Sequence, residues 1–398
     1  MRSSHSNTDR MPAVVVGGTL NSLGVVRSLA AGGVRVFVLE SSRDCPAGWS
    51  RYCTFVRAPV LEGPGLIEHL LALASALRCA PVLILTADPA VSTVSSYRDR
   101  LGASYRFTLP CAESVIALSD KTNFQRFAEA ARLPVPRGAV IGSKADLDRL
   151  QELEPALIIK PADKGLVLAG AVERAVRAPT VADARRAAAR MLRDASPLIA
   201  QEWVEGPDSE IFFALFTCDC EGRLAGFFAG RKLVCDPPEI GSTAICVPAP
   251  EVADALRSET LRFLEITRYR GLGSLEFKRD TRNGRFIIIE PTVGRTDWQE
   301  EIATLCGVNL PLIAYRLALQ APPPEPQQGE APTRIWRQSR EFQVPRGMAP
   351  ARAQVIDAFF RWRDPRPGLY HYGFDRVVRP AAQRAVRLLH TTTPVSAR

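Results

Sequence analysis

Histidine is scarce in this 398-residue chain, which has only His5, His69, His371 and His390. None has another reactive side chain close by in sequence, which weighs against a histidine-based triad. The nine cysteines include no Cys-x-x-Cys pair. That excludes the usual zinc or dithiol spacing and leaves buried thiols. No run of about 18 apolar residues is present, so no membrane span is expected. The opening MRSSHSNTDR has no apolar core of signal-peptide length, so a cytoplasmic location is expected. A net charge of one sign is also missing from most of the chain. Residues 334–398 hold 13 arginines and no lysine against four acids, which is the entire excess of +9. The balanced body argues against a nucleic-acid enzyme. With 46% hydrophobic and 23% charged residues, the composition excludes a disordered chain and fits two or three globular domains.

Val14–Val16, a helical stretch from Asn21 to Ala31, Val34–Leu39 and Val82–Thr86 alternate as strand and helix. Residues 12–115 are therefore expected to form an α/β domain with an open parallel sheet. Gly17, Gly18 and Glu40 suggest a dinucleotide site and an NAD(P)-dependent oxidoreductase. The Gly-x-Gly-x-x-Gly spacing is absent, however, since the next glycine is Gly24, and a structural turn explains the pair as well. A helix should start at Ser119-Asp120, with Lys121 in its first turn, and stop at Leu133-Pro134. A cation there opposes the helix dipole unless an anion binds it. Residues 116–320 lack the regular alternation and are expected to be α+β with a mainly antiparallel sheet. Pro322, Pro323, Pro324, Pro326 and Pro332 mark a linker over 321–333. Residues 334–398 form an arginine-rich C-terminal appendage, and aromatics from Phe359 to Phe374 imply that it packs on the body.

Chemistry is suggested by an ordered set of features. The apolar strand Leu157-Ile158-Ile159 ends in Lys160-Pro161, followed by a loop containing Lys164. A lysine at a strand end needs a partner or an opening, because burying an unpaired charge is costly. A phosphate chain is one such partner. Gln201-Glu202-Trp203-Val204-Glu205-Gly206 is a short run whose backbone at Glu202 and Val204 can match an adenine edge. Asp208 or Glu210 just beyond is placed for ribose hydroxyls. Thr281-Arg282-Asn283-Gly284 then predicts a hairpin. A two-residue turn puts Glu276 opposite Pro291, with Glu290 on the other face. A three-residue loop with Gly284 as the bulge makes Glu276 and Glu290 direct cross-strand partners. In that register the two carboxylates repel unless a cation lies between them, and magnesium is the natural one. The alternative is a pair of exposed acids neutralised by Lys278 and Arg285. Arg231-Lys232 and Arg295 complete the set as candidates for carboxylate or phosphate contact.

In this order the residues resemble the ATP-grasp superfamily of carboxylate–amine ligases, over roughly residues 12–320. The resemblance is strongest to the short ligases related to D-aspartate ligase and the carbamoyl-phosphate synthase large chain. It implies that Lys121, Lys160 and Lys164 contact ATP phosphates, that Gln201, Glu202, Val204 and Glu210 hold the nucleoside, and that Glu276, Glu290 and Thr292 bind Mg²⁺, with Mn²⁺ as an alternative. It also implies an acyl-phosphate intermediate and ADP as co-product. Arg231 and Arg295 would stabilise the acyl-phosphate and the tetrahedral intermediate, with a small carboxylate and an amine as substrates. The N-terminal domain would help form the acceptor site, and a homodimer is compatible with this reading. The family's Glu-x-Asn-x-Arg motif is replaced by Glu290-Pro291-Thr292-Val293-Gly294-Arg295. A catalytically weak nucleotide-binding scaffold is therefore the second alternative beside the oxidoreductase.

Overall fold

The computed structural model describes residues 11–162, 173–325, 334–349 and 352–373. Strands β1 (Ala13–Val16), β2 (Val36–Glu40), β3 (Cys53–Arg57) and β4 (Val82–Leu85) form a parallel sheet in the order β3-β2-β1-β4. Alternate residues of β1 and β4 enter different apolar clusters. Val14, Val16, Leu83 and Leu85 pack on one side, and Ala13, Val15, Val82 and Ile84 on the other. This is why the strands are unbroken apolar runs. Gly17 has φ +115°, and a Cβ there would lie 2.4 Å from the Thr86 hydroxyl oxygen. Packing on β4 thus accounts for the glycine after β1.

A second, antiparallel sheet has the order β5-β8-β6-β7, from β5 (Gly138–Ile141), β6 (Leu157–Pro161), β7 (Val176–Ala178) and β8 (Leu198–Glu202). The helix Val181–Met191 covers one face through Ala184, Ala187, Ala188 and Met191. The third sheet contains β9 (Ile211–Cys218), β10 (Leu224–Asp236), β11 (Ser242–Pro248), β12 (Gly271–Arg279), β13 (Phe286–Val293), β14 (Arg334–Arg337) and β15 (Gln354–Asp357), in the order β13-β12-β9-β10-β11-β14-β15. Its pairs are antiparallel except β14 with β15. Phe212, Phe216 and Phe277 are fully buried on one face and Phe213 and Phe228 on the other. Each contributes about 1.5–3 kcal/mol of apolar burial.

The arginine-rich segment joins the body through the edge of this sheet. Cys246 of β11 pairs with Trp336, which is buried. Arg27, on the helix Leu20–Ala31, donates to the Asp364 carboxylate (3.0 Å) and to the carbonyls of Ala358 (2.6 Å) and Phe359 (2.8 Å). Asp364 also accepts from the Ser50 hydroxyl and the Arg51 amide. Trp49 stacks on Tyr370 at 5.2 Å. Arg361 of the segment is turned inward and pairs with Glu301 at 2.8 Å. Phe374 lies outside the described residues.

Beside that network Glu300 is buried and receives hydrogen bonds from Ser28 and Thr304. Burial and the neighbouring Glu301 charge raise its pKa to about 8. A carboxyl raised in this way favours folding below its unfolded pKa and loses that contribution as pH rises through 8. Stability should therefore fall by a few kcal/mol between about pH 5 and pH 9. Glu300→Gln should flatten this slope in denaturant titrations at several pH values. An unchanged slope in the variant would remove Glu300 as its source.

Candidate active site

The helix Lys121–Ala130 begins where it does because Asp120 caps it, accepting from the amides of Thr122 (2.9 Å) and Asn123 (2.8 Å). The cap fixes Lys121 in the first turn, and its ammonium donates to the Pro161 carbonyl at 3.2 Å. Lys160 is the preceding residue of β6, so two lysines 39 positions apart in sequence meet at one strand end. The Lys160 ammonium donates to the Gln201 side chain at 3.3 Å, and Gln201 in turn donates to Gln125 at 2.7 Å. Lys121, Lys160, Gln201, Ile289 and Glu290 line one cleft between the second and third sheets. Burial pushes the Lys160 pKa below the usual range, while Glu290 and Glu276 oppose that shift. A group so placed gains from an anion arriving in the cleft.

Glu276 and Glu290 are direct cross-strand partners on β12 and β13. Of the two registers read from the sequence this is the one assigned to a three-residue loop, but the device that makes it is different. Asp280 donates from its amide to the Arg285 carbonyl across a four-residue turn, and Lys278 pairs with Ile287. That register alone would place Glu276 opposite Ile289. A bulge beyond Phe277–Ile288 inserts one residue and brings Glu290 into line. The Ile288 amide is turned out of the ladder to donate to Pro134 at 2.6 Å. Gly284 takes φ +75° in the turn, as a left-handed position favours.

Ser274 and Thr292 are the next cross-strand pair on the same face. The acids are thus followed by two hydroxyls, and Ser274 donates to Asp297 at 3.2 Å. Among the described residues no group of three His, Cys, Asp or Glu side chains forms a metal cluster. Two carboxylates with neighbouring hydroxyls nevertheless fit a hard divalent cation of the kind that keeps one or two protein carboxylates and fills its shell with water and phosphate. A cation already occupies one acid: the Lys232 ammonium lies 2.5 Å from Glu276 and is buried. Burial disfavours its charge, but Glu276 outweighs that and holds its pKa above the ordinary lysine value.

The structure does not bring the other expected residues together in the same way. Arg231 is on the opposite face of β10, 3.8 Å from Glu251. Of this dipeptide, the charge that reaches the acid pair is that of Lys232. Arg295 forms a double contact with Asp88 (2.5 and 3.1 Å), at the start of the helix Asp88–Ser96. Burial opposes its charge, and Asp88 raises its pKa. Arg295 thereby ties the site to the parallel sheet. Glu210 is bound by Arg279 at 2.6 and 3.1 Å, on the face away from Glu276, and does not line the cleft. Asp208 accepts from the amides of Cys235 and Glu239. The Glu202 carboxylate accepts from the Glu154 amide, and its own amide donates to the Arg137 carbonyl. Val204 is buried beside Trp203. Lys164 lies outside the described residues. Asp88, Gln125 and Asp297 are not singled out by the sequence as members of the site, and Lys232 only within its dipeptide. Gln125, a polar residue on the buried side of its helix, was the one visible signal.

No family model matches the chain. It is similar to D-aspartate ligase from Enterococcus faecium (strain Aus0004), at 24% identity over 333 residues, covering 78% of this chain and 77% of that protein. Among solved structures, it resembles N5-carboxyaminoimidazole synthetase from Staphylococcus aureus in complex with ADP, with TM-score 0.63 and 13% identity, covering 79% of each chain. It also resembles biotin carboxylase from Campylobacter jejuni, with TM-score 0.60 and 15% identity over 80% of this chain and 73% of that one. Among the described residues no helix is long and apolar enough to cross a membrane.

Proposed function

We propose that this protein, which has the ATP-grasp fold, is an ATP-dependent ligase that activates a small carboxylate as an acyl-phosphate and joins it to an amine. The observation that carries this reading is the meeting of Lys121, Lys160 and Glu290 in one cleft, with Glu276 directly across the strand from Glu290. A carboxylate approaching the γ-phosphate is one anion approaching another, so the barrier falls through charge neutralisation and positioning. Lys121 and Lys160 hold the phosphates from the β6 side. Glu276 and Glu290, with Thr292 beside them, would hold Mg²⁺, which when bound neutralises phosphate charge. The backbone about Val204 lines the base.

The carboxylate oxygen bonds to the γ-phosphorus as its bond to the β-bridging oxygen breaks, and ADP leaves. The free amine then attacks the acyl carbon and phosphate departs, giving the amide. Lys232 takes the part expected of Arg231, as the buried cation at the acids. Arg295 positions the loop after β13 through Asp88. In this reading residues 116–320 clamp the nucleotide and residues 12–115 help shape the acceptor site, in a cytoplasmic enzyme.

The test is ADP release on offering amino acids, other small carboxylates and bicarbonate with a panel of amines, followed by mass spectrometry of the products. Release dependent on both a carboxylate and an amine, with the mass of the condensed product, is expected. Nucleotide binding without ADP release under any pair would instead indicate a scaffold without turnover.

A further inference from the structure

Lys278 is 4% exposed, and its ammonium has no hydrogen-bond partner among the described residues. It faces the Trp203 indole, 4.1 Å from the ring centroid, with the Arg177 guanidinium 4.4 Å from the same ring. The two lysines that line the cleft, and the lysine at the acids, have oxygen acceptors: Lys121 has the Pro161 carbonyl, Lys160 has Gln201 and Lys232 has Glu276. The alternative of exposed acids neutralised by Lys278 is not what the structure shows for Lys278. Lys278 lies inward, and Glu276 is taken by Lys232.

Position gives the orphaned ammonium a meaning. Lys278 shares a strand face with Glu276, two residues further along β12, a step of roughly 6.6 Å. It is near enough for its charge to act on Lys160, and Glu239, Glu205, Arg177 and Asp208 act on its own. Glu276 marks the phosphate end in the proposed function, and Lys278, one step further along that face, lies against Trp203, which precedes the Val204 backbone assigned to the base. An ammonium with three donors set against an aromatic face is incompletely satisfied.

We propose that Lys278 is a nucleoside-recognising residue, whose ammonium donates a hydrogen bond to a neutral acceptor on the bound nucleotide, either a purine ring nitrogen or a ribose oxygen. This rests on the proposed ATP site. It adds a specificity contact that replaces the ribose role expected of Glu210, which Arg279 holds elsewhere.

The experiment measures binding of ATP with Mg²⁺ by calorimetry for the wild type, Lys278→Met and Lys278→Arg, with 7-deaza-ATP, 3-deaza-ATP and 2′-deoxy-ATP as further probes. Lys278→Met should bind ATP at least about tenfold more weakly, as loss of a charged donor implies, while Lys278→Arg retains part of the affinity. One analogue should be discriminated against by the wild type and not by Lys278→Met, which assigns the acceptor to base or sugar. A purely structural lysine would weaken all four nucleotides alike or none, and that result overturns the inference. Wild-type protein that binds no nucleotide would overturn the ATP-site reading itself. Equal ATP affinity in the wild type and Lys278→Met defeats only the role of Lys278.

Discussion

Lys160→Met should lower the rate of ADP formation by at least about 10²–10³-fold, the loss typical of removing one preorganised charge donor from a transition state. Its thermal midpoint should stay level or rise. The two effects separate because the Lys160 ammonium is buried with, among the described residues, only the Gln201 side-chain oxygen to accept from it, and burial disfavours its charge. Methionine fills a similar volume without that cost. Glu290→Gln should lose activity to a similar degree, because it removes one of the two carboxylates while keeping the side-chain shape. ADP release by the two variants, measured beside thermal melting, checks this. Turnover close to wild type in either folded variant would contradict the assignment of the cleft.

The second large effect concerns folding. Arg27→Met should cost about 3–5 kcal/mol, the usual result of leaving a buried carboxylate without its partner. Asp364 is fully buried and Glu301 nearly so, and Arg27 also satisfies two carbonyls of the C-terminal segment. Denaturant unfolding should show a lower midpoint. Limited proteolysis should cut first within residues 334–373, since loss of this contact loosens their hold on the helix Leu20–Ala31. An unchanged midpoint with no new cleavage would mean that pairing of β14 to β11 anchors the segment by itself.

The legible parts of the sequence were those in which one local pattern has one physical solution. Val14–Val16 and Val82–Leu85 are apolar at every position, which suits a parallel strand covered on both faces. Asp120 followed by an apolar helical face fixes a helix start, and with it the place of Lys121. Leu157–Pro161 announced a strand ending at a lysine. The turn before Arg285 announced a hairpin, and so brought Glu276 and Glu290 near each other.

What escaped the sequence was any property that depends on a residue's partner. Local pattern cannot tell which of Arg231 and Lys232 faces the acids, because successive strand residues point to opposite faces and the facing strand is remote in sequence. Glu210 looked well placed for a sugar until Arg279, 69 residues away, proved to hold it. The pairing of the two glutamates depends on a bulge drawn out by the Pro134 carbonyl, a long-range contact. The chain alone determined the main strands, the helix start at Asp120 and the order of the two lysines and two glutamates. Tertiary structure decided which charges neutralise one another and which, like Lys278, keep no hydrogen-bond partner among the described residues, because pairing energy depends on distance and desolvation and not on separation along the chain.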